Sequence, residues 1–261
     1  MEGQQKNSTD NSLAAFKALA EMMSPWEAGL ALLAELSKNT ESPNWDKCAI
    51  LAEHGRADPN VRDSAQRTVL HRAIEQKAFS TAHALINNAD DLEAVDDKGR
   101  SALHYAALCG PTETARLLLE KGADTEASNS QNEGMTPLMF AVMMGEAATV
   151  KELLSHKANI EAQDIHGYTP LIYAAMSQEK DITHLLLKHS ANPNTQDKNG
   201  HTAIDTAQNL LQEKFPHSQA LPVIISTLKR HIEETFSKAA ERGTQKKRKV
   251  LRPRPKSGPE A

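Results

Sequence analysis

The stretch Thr68-Val69-Leu70-His71-Arg72-Ala73 decides the fold of this chain, because related hexapeptides follow it at a nearly constant spacing. The later copies begin at Ser101, Thr136, Thr169 and Thr202, so the intervals are 33, 35, 33 and 33 residues. They read Ser-Ala-Leu-His-Tyr-Ala, Thr-Pro-Leu-Met-Phe-Ala, Thr-Pro-Leu-Ile-Tyr-Ala and Thr-Ala-Ile-Asp-Thr-Ala. A period of this length indicates a stack of similar units, because one unit cannot bury its apolar face alone.

Each hexapeptide also predicts the start of a helix. Thr or Ser precedes the apolar residues, where its hydroxyl can accept a hydrogen bond from a free backbone N–H of the first helical turn. Pro137 and Pro170 stand at the first helical position, where the missing N–H costs nothing. Paired leucines at 118–119, 153–154 and 186–187 indicate a second helix in each unit. The pattern therefore predicts an all-α fold.

These residues resemble the ankyrin repeat, with its Thr-Pro-Leu-His-x-Ala signature and its period of 33. The resemblance implies a solenoid of stacked helix pairs, with β-hairpin fingers between the pairs and helical caps at both ends. In ankyrin repeats a left-handed glycine ends the second helix, and this chain keeps it only at Gly122. The other copies of that position should cost about 1 kcal/mol each; they are Arg56, Ala89, Lys157 and Ser190.

The chain divides into five predicted segments. Residues 1–12 should be a disordered N-terminus, and 13–62 an N-terminal helix followed by a degenerate capping repeat. Five repeats should occupy 63–211, beginning near residues 63, 96, 129, 164 and 197. A capping helix is expected over 212–240 and a disordered basic tail over 241–261, because the tail lacks an apolar periodicity that could pack.

Composition excludes several classes of protein. The N-terminal residues are polar, so we expect no secretory signal, and no apolar run approaches the roughly 20 residues that span a bilayer. The two cysteines, Cys48 and Cys109, are far apart and match no metal-ligand spacing, which favours a reducing compartment. We expect a monomer without membrane contact, cofactor or metal.

Eleven histidines raise the question of catalysis. The resemblance gives His71 and His104 a structural role, because the imidazole at this repeat position hydrogen-bonds the finger to the helix. His184 and His189 lie without a third ligand nearby in sequence, so exposed histidines are favoured over a zinc site. The sequence contains no phosphate-binding glycine loop and no nucleophile elbow. We therefore predict that the protein is not an enzyme.

The basic tail has three possible roles. Residues 241–261 contain eight Lys and Arg against two Glu, a net +6, which leaves −10 on the first 240 residues. The run Lys246, Lys247, Arg248, Lys249, Val250 resembles the large-T-antigen type of nuclear localisation signal, which implies binding to importin-α in an extended conformation. A solvated tail and a weak nucleic-acid contact are the alternatives; the tail has no aromatic side chain for base stacking, and the acidic body repels phosphate.

The resemblance also implies where a protein partner binds. In ankyrin repeats, residues around the finger glycine and after the paired alanines face the concave surface. The matching positions here are Arg100, Leu108, Cys109, Met135, Met143, Met144, Ile165, His166, Tyr168 and Met176. Their apolar side chains predict a groove for an extended peptide or a helix, unless some of them turn inward as core.

The sequence thus predicts a non-enzymatic protein–protein interaction adaptor that acts in the nucleus, with a cytoplasmic pool. Two alternatives remain. One is a secreted bacterial effector that carries host-like repeats into the host nucleus. The other is a cytosolic inhibitor or scaffold with a solubilising tail.

Overall fold

The computed structural model describes residues 14–36, 45–54, 57–58, 60–89, 91–129 and 133–250, and side chains up to residue 238. In these ranges the chain forms thirteen helices and no strands. They are α1 (14–22), α2 (Pro25–Leu36), α3 (Trp45–Glu53), α4 (Val69–Glu75), α5 (Phe79–Asn88), α6 (Ala102–Cys109), α7 (Thr112–Glu120), α8 (Pro137–Met143), α9 (Ala147–Ser155), α10 (Pro170–Met176), α11 (Lys180–Lys188), α12 (Ala203–Glu213) and α13 (Ala220–Val250).

The helices stack in two layers, which confirms the predicted all-α solenoid. The first layer runs α2, α4, α6, α8, α10, α12, and each of these helices contacts the next. The second layer runs α3, α5, α7, α9, α11, α13 in the same way. The core lies between the layers and consists mainly of alanine and leucine, such as Ala106, Leu118 and Leu138. Small alanines let neighbouring helices approach closely, so each repeat buries its apolar face against the next.

The first helices begin at the residues that the hexapeptides predicted. The side chains of Thr68, Thr136, Thr169 and Thr202 each accept a hydrogen bond from the backbone N–H three residues later. Proline occupies the start of α8 and of α10. These caps satisfy N–H groups that the helix itself leaves free.

The fingers are shorter than the predicted β-hairpins. In the described residues they contain only two isolated antiparallel bridges, Arg62–Thr68 and Val95–Ser101. A side chain closes each turn instead. Asp96 Oδ1, for example, accepts from the N–H groups of Lys98 and Arg100 at 2.9 and 2.8 Å. Asp63, Asp164 and Asp197 repeat this arrangement.

The second helices end as the ankyrin pattern implies in some repeats and not in others. Lys157 and Ser190 adopt positive φ angles of 67° and 71°, beside 89° at Gly122. Ala89 has φ −81°, so the expected strain at this residue was wrong. The chain leaves α5 in an extended conformation, which any residue adopts without penalty. Arg56 lies outside the described residues.

The C-terminal helix is longer than the sequence predicted. We expected a helix to residue 240 and a disordered tail from 241, but α13 continues through Val250. Residues 237–250 are rich in Ala, Glu, Gln, Lys and Arg, which are good helix formers. The predicted disordered segment 1–12 and residues 251–261 lie outside the described residues.

Candidate partner-binding surface

Backbone hydrogen bonds join neighbouring fingers, which carry part of the predicted partner-binding surface. The N–H groups of Asp97, Ile165 and Lys198 donate to a carbonyl of the preceding finger at 3.1, 2.9 and 2.9 Å. Residues 130–132 of the third finger lie outside the described ranges. These three hydrogen bonds fix the spacing between the fingers that they join, so the side chains on those fingers have fixed relative positions.

The two repeat histidines are structural, as predicted. His104 Nδ1 accepts from the Ser101 N–H at 3.1 Å, and its Nε2 lies 3.0 Å from the carbonyl oxygen of Met135 in the next repeat. His71 makes the first contact with Thr68 at 3.0 Å, while its Nε2 is buried without a partner. Because Nδ1 accepts, the proton of each neutral ring lies on Nε2. Burial lowers the pKa of both rings from 6.5 to about 4.

Two of the predicted contact residues have structural roles that limit their exposure. Arg100 pairs with the buried Asp96 carboxylate at 2.7 Å, and its guanidinium donates to the Tyr105 hydroxyl, also at 2.7 Å. Burial favours the neutral form of Asp96, but the hydrogen bonds from Arg100 and Tyr105 outweigh it and hold the pKa below its ordinary value. The Cys109 thiol donates to the Tyr105 carbonyl oxygen at 3.2 Å, and burial raises its pKa. A raised pKa disfavours the reactive thiolate, and the Cys109 side chain packs against the core.

Met135 was assigned to the surface wrongly, because its side chain is only 3 % exposed. Asn129 holds its backbone by accepting from the Met135 N–H and donating to its carbonyl. The finger that contains these residues is two residues longer than the others, so the register of the shorter repeats did not apply here. Leu108 is half-buried against the core.

Four predicted residues do expose large apolar side chains. Met143, Met144, Ile165 and Met176 are 37, 47, 48 and 38 % exposed. Met143 and Met144 end α8, Met176 ends the neighbouring helix α10, and Ile165 lies in the finger that joins these two repeats. We call these four residues the methionine patch. It is narrower than the predicted groove, because the second repeat adds only half-buried side chains to it.

Tyr168 borders the methionine patch and is held between two rings. Its ring centroid lies 5.6 Å from that of His166 and 5.8 Å from that of Tyr173, the second pair edge to face. Tyr173 is fixed in turn, because its hydroxyl donates to the buried Asp164 carboxylate at 2.7 Å. Tyr168 is therefore a half-buried ring with a defined orientation, while His166 is exposed.

A pocket extends this surface into the fifth repeat, which the sequence reasoning missed. Its volume is about 280 Å³, and Tyr168 and Met176 line one side. The residues on the other side are Asp197, Asn199, His201, Thr206, Asn209, Leu210, Glu213 and Lys214. Asn199, His201 and Asn209 follow His166, Tyr168 and Met176 by one period of 33 residues. Extending the same register by one repeat would have found them.

Neither a membrane-spanning helix nor a metal-binding cluster occurs in the part of the chain that the structure describes. No helix there is long and apolar enough to cross a membrane. Nor do three or more His, Cys, Asp or Glu side chains come together in a way that could hold a metal ion. Both cysteines are free thiols.

Several known proteins resemble the repeats over part of this chain. The family model described as ankyrin repeats matches residues 41–129 and 125–197. The mouse B-cell lymphoma 3 protein homolog is 37 % identical over 115 residues, which are 42 % of this chain and 25 % of that protein. A Caenorhabditis elegans transient receptor potential cation channel subfamily A member 1 homolog is 36 % identical over 114 residues, 43 % of this chain and 9 % of that protein.

An enzyme is among the similar proteins as well. The palmitoyltransferase AKR1 of Lachancea kluyveri is 32 % identical over 113 residues, 42 % of this chain and 15 % of the enzyme. The matched region thus spans a quarter or less of each of these three relatives. Ankyrin repeats present concave binding surfaces and act as protein–protein interaction modules. The family model covers more than half of the 261 residues, and the chain belongs to the ankyrin-repeat family.

Proposed function

We propose that this protein is a non-enzymatic adaptor that acts in the nucleus and binds a protein partner on the concave face of its repeats. The methionine patch is the observation that supports this proposal. Large apolar side chains cost free energy when they stay in water, at about 25 cal/mol per Å² of apolar surface. Four of them grouped on two adjacent repeats favour a docking role.

The composition of the patch suits a peptide or a helix from a partner. Methionine is unbranched and polarizable, so it repacks around apolar side chains of different shapes. Tyr168 adds a ring whose orientation is already fixed, so that little conformational entropy is lost when a partner binds. A peptide across the patch would bury Met144 centrally, where side chains contribute most to binding.

The chemistry of the histidines and of Cys109 supports a role without catalysis. The imidazoles of His71 and His104 are fully buried and hold helix caps. The Cys109 thiol is half-buried with a raised pKa, which disfavours the reactive thiolate. These groups therefore serve the fold.

A pull-down with matched variants tests the binding surface. Partners captured by the wild-type chain should be lost with Met144→Glu, because a carboxylate in a dry apolar contact is unfavourable by about 2 kcal/mol or more, roughly thirtyfold in affinity. Met22→Glu is the control, since Met22 is 84 % exposed on α1, away from the patch. Both variants should keep the wild-type melting temperature. Capture of the same partners by Met144→Glu at wild-type levels would exclude this surface.

The nuclear part of the proposal rests on Lys246–Val250 and on importin-α as their receptor. These residues have a helical backbone at the end of α13, so an extended complex requires the last turns to unwind. The end of a helix unwinds at low cost, because its final carbonyl groups lack intrahelical partners.

Localisation of the full chain tests this second part. Lys246→Ala should reduce nuclear enrichment, whereas Lys238→Ala, on the same helix before the basic run, should leave it unchanged. If both variants enter the nucleus like the wild type, the run is not an import signal. A wild-type chain that stays in the cytosol would favour the scaffold alternative.

A further inference from the structure

A second pocket lies between α11 and α13 and shares no residue with the methionine patch. Its volume is about 330 Å³. It is lined by His184, Leu187, Lys188, Thr227, Arg230, His231 and Glu234. Leu187 is buried, while the charged side chains are exposed to solvent. The pocket thus combines an apolar residue with polar groups from two helices.

Basic side chains enter this pocket from both helices. His184 and Lys188 belong to α11, and Arg230 and His231 belong to α13. None of the four makes a hydrogen bond or ion pair with another side chain of the described residues. Glu234 lies one helical turn after Arg230 but does not pair with it. Lys188 and Arg230 thus make no ion pair within the described residues although Glu234 also lines the pocket, and an anion bound there would accept hydrogen bonds from their free N–H donors.

We propose that this pocket binds an acidic segment of a protein partner. The guanidinium of Arg230 offers a planar fork of N–H donors that fits the two oxygens of a carboxylate or of a phosphoryl group. The Lys188 ammonium and the two imidazoles add further donors. All of these groups favour binding of an oxyanion on a flexible chain. Acidic side chains and phosphorylated side chains both supply such an oxyanion.

The surroundings favour a protein segment over nucleic acid. No Phe, Tyr or Trp among the described residues lines the pocket, so unpaired bases find no stacking surface on this part of it. The first 240 residues carry a net charge of −10, so a long phosphate backbone that continues past the pocket meets more repulsion than a short acidic segment that ends there.

Fluorescence anisotropy with a short labelled oligoglutamate peptide and the full chain tests the proposal. Binding should weaken as salt rises, and Lys188→Gln with Arg230→Gln should weaken it by about tenfold or more. The matched control is Lys180→Gln with Lys229→Gln, which removes the same charge from the same two helices outside the pocket. Glu234→Gln should tighten binding by about twofold, because it removes the one carboxylate that the described residues contribute to the pocket.

The outcomes separate the proposal from its alternatives and from the concave surface. Equal affinity for the peptide and for its phosphoserine version assigns carboxylates as the ligand, and tighter binding of the latter assigns a phosphoryl group; both support the site. An equal loss in the pocket variant and in its control would overturn it, as would no binding at millimolar peptide. Tighter binding of a DNA duplex that depends on Arg230 would assign nucleic acid instead. Met144→Glu should leave peptide binding unchanged.

Discussion

Mild acid should destabilise this array through two histidines that the folded chain keeps neutral. His71 and His104 are both 0 % exposed. Burial lowers the pKa of each imidazole to about 4 and outweighs the nearby Asp96 carboxylate, which favours the charged form. We expect the loss of stability when the pH is lowered from 7.5 to 5.

The direction of the change in stability follows from the number of protons that the folded and the unfolded chain bind. Near pH 7.5 both rings are neutral in the folded and in the unfolded chain, so their stabilising contribution is complete. As the pH falls below 6.5, the unfolded chain takes up protons and the folded chain does not, until the pH approaches 4. With 1.36 kcal/mol for each pKa unit, each histidine lowers the free energy of unfolding by about 2 kcal/mol at pH 5, and both together by about 4 kcal/mol.

Chemical unfolding at the two pH values measures this loss, and the chain itself offers the control. The third repeat has Met139 at the position of these histidines, so the fold accepts methionine there. His104→Met should lower stability at pH 7.5 by about 1 kcal/mol, since it removes the bonds to the Ser101 N–H and to the Met135 carbonyl. It should also remove about 2 kcal/mol of the pH dependence, and His71→Met should act similarly.

His71 and His104 do not cause the acid effect if the wild type and the double variant His71→Met with His104→Met lose equal stability between pH 7.5 and pH 5. Other carboxylates and histidines would then cause the acid effect. A direct measurement is the titration of the His104 ring by NMR. An imidazole that gains its proton near pH 6.5 in the folded chain would contradict the burial argument independently of any unfolding experiment.

Three further predictions concern the backbone and the fingers. Lys157→Gly should raise the free energy of unfolding by up to about 1 kcal/mol, because φ is 67° there, whereas Ala89→Gly at φ −81° should lower it. Gly167→Ala should lower the melting temperature more than Gly200→Ala. Both glycines have positive φ, but only at Gly167 would the new Cβ lie 2.9 Å from a backbone nitrogen, that of Lys198. Tyr173→Phe should cost about 1–3 kcal/mol in chemical unfolding, since Oδ2 of the buried Asp164 carboxylate loses the hydrogen bond from Tyr173; an unchanged midpoint would contradict this role.

Most of the fold could be predicted from the hexapeptides, because each repeat interacts mainly with its neighbours. The caps at Thr68 and Thr136, the first-turn proline of α8 and the structural roles of His71 and His104 are local and recur with the period. The error at Met135 arose where the period lengthens from 33 to 35 residues. The exposure of a position can be carried from one repeat to the next only while the spacing between repeats is constant.

The sequence by itself determined the repeat and the two helices of each unit, and its resemblance to ankyrin repeats predicted which positions face a partner. Only the tertiary structure decided which of these side chains are exposed, since Met135 is buried while Met144 remains 47 % exposed. It also brought His184 and Arg230 into one pocket. The physical reason is that periodicity encodes contacts between adjacent repeats, whereas exposure and pockets depend on how whole helices pack, including a final helix that has no counterpart in the repeat pattern.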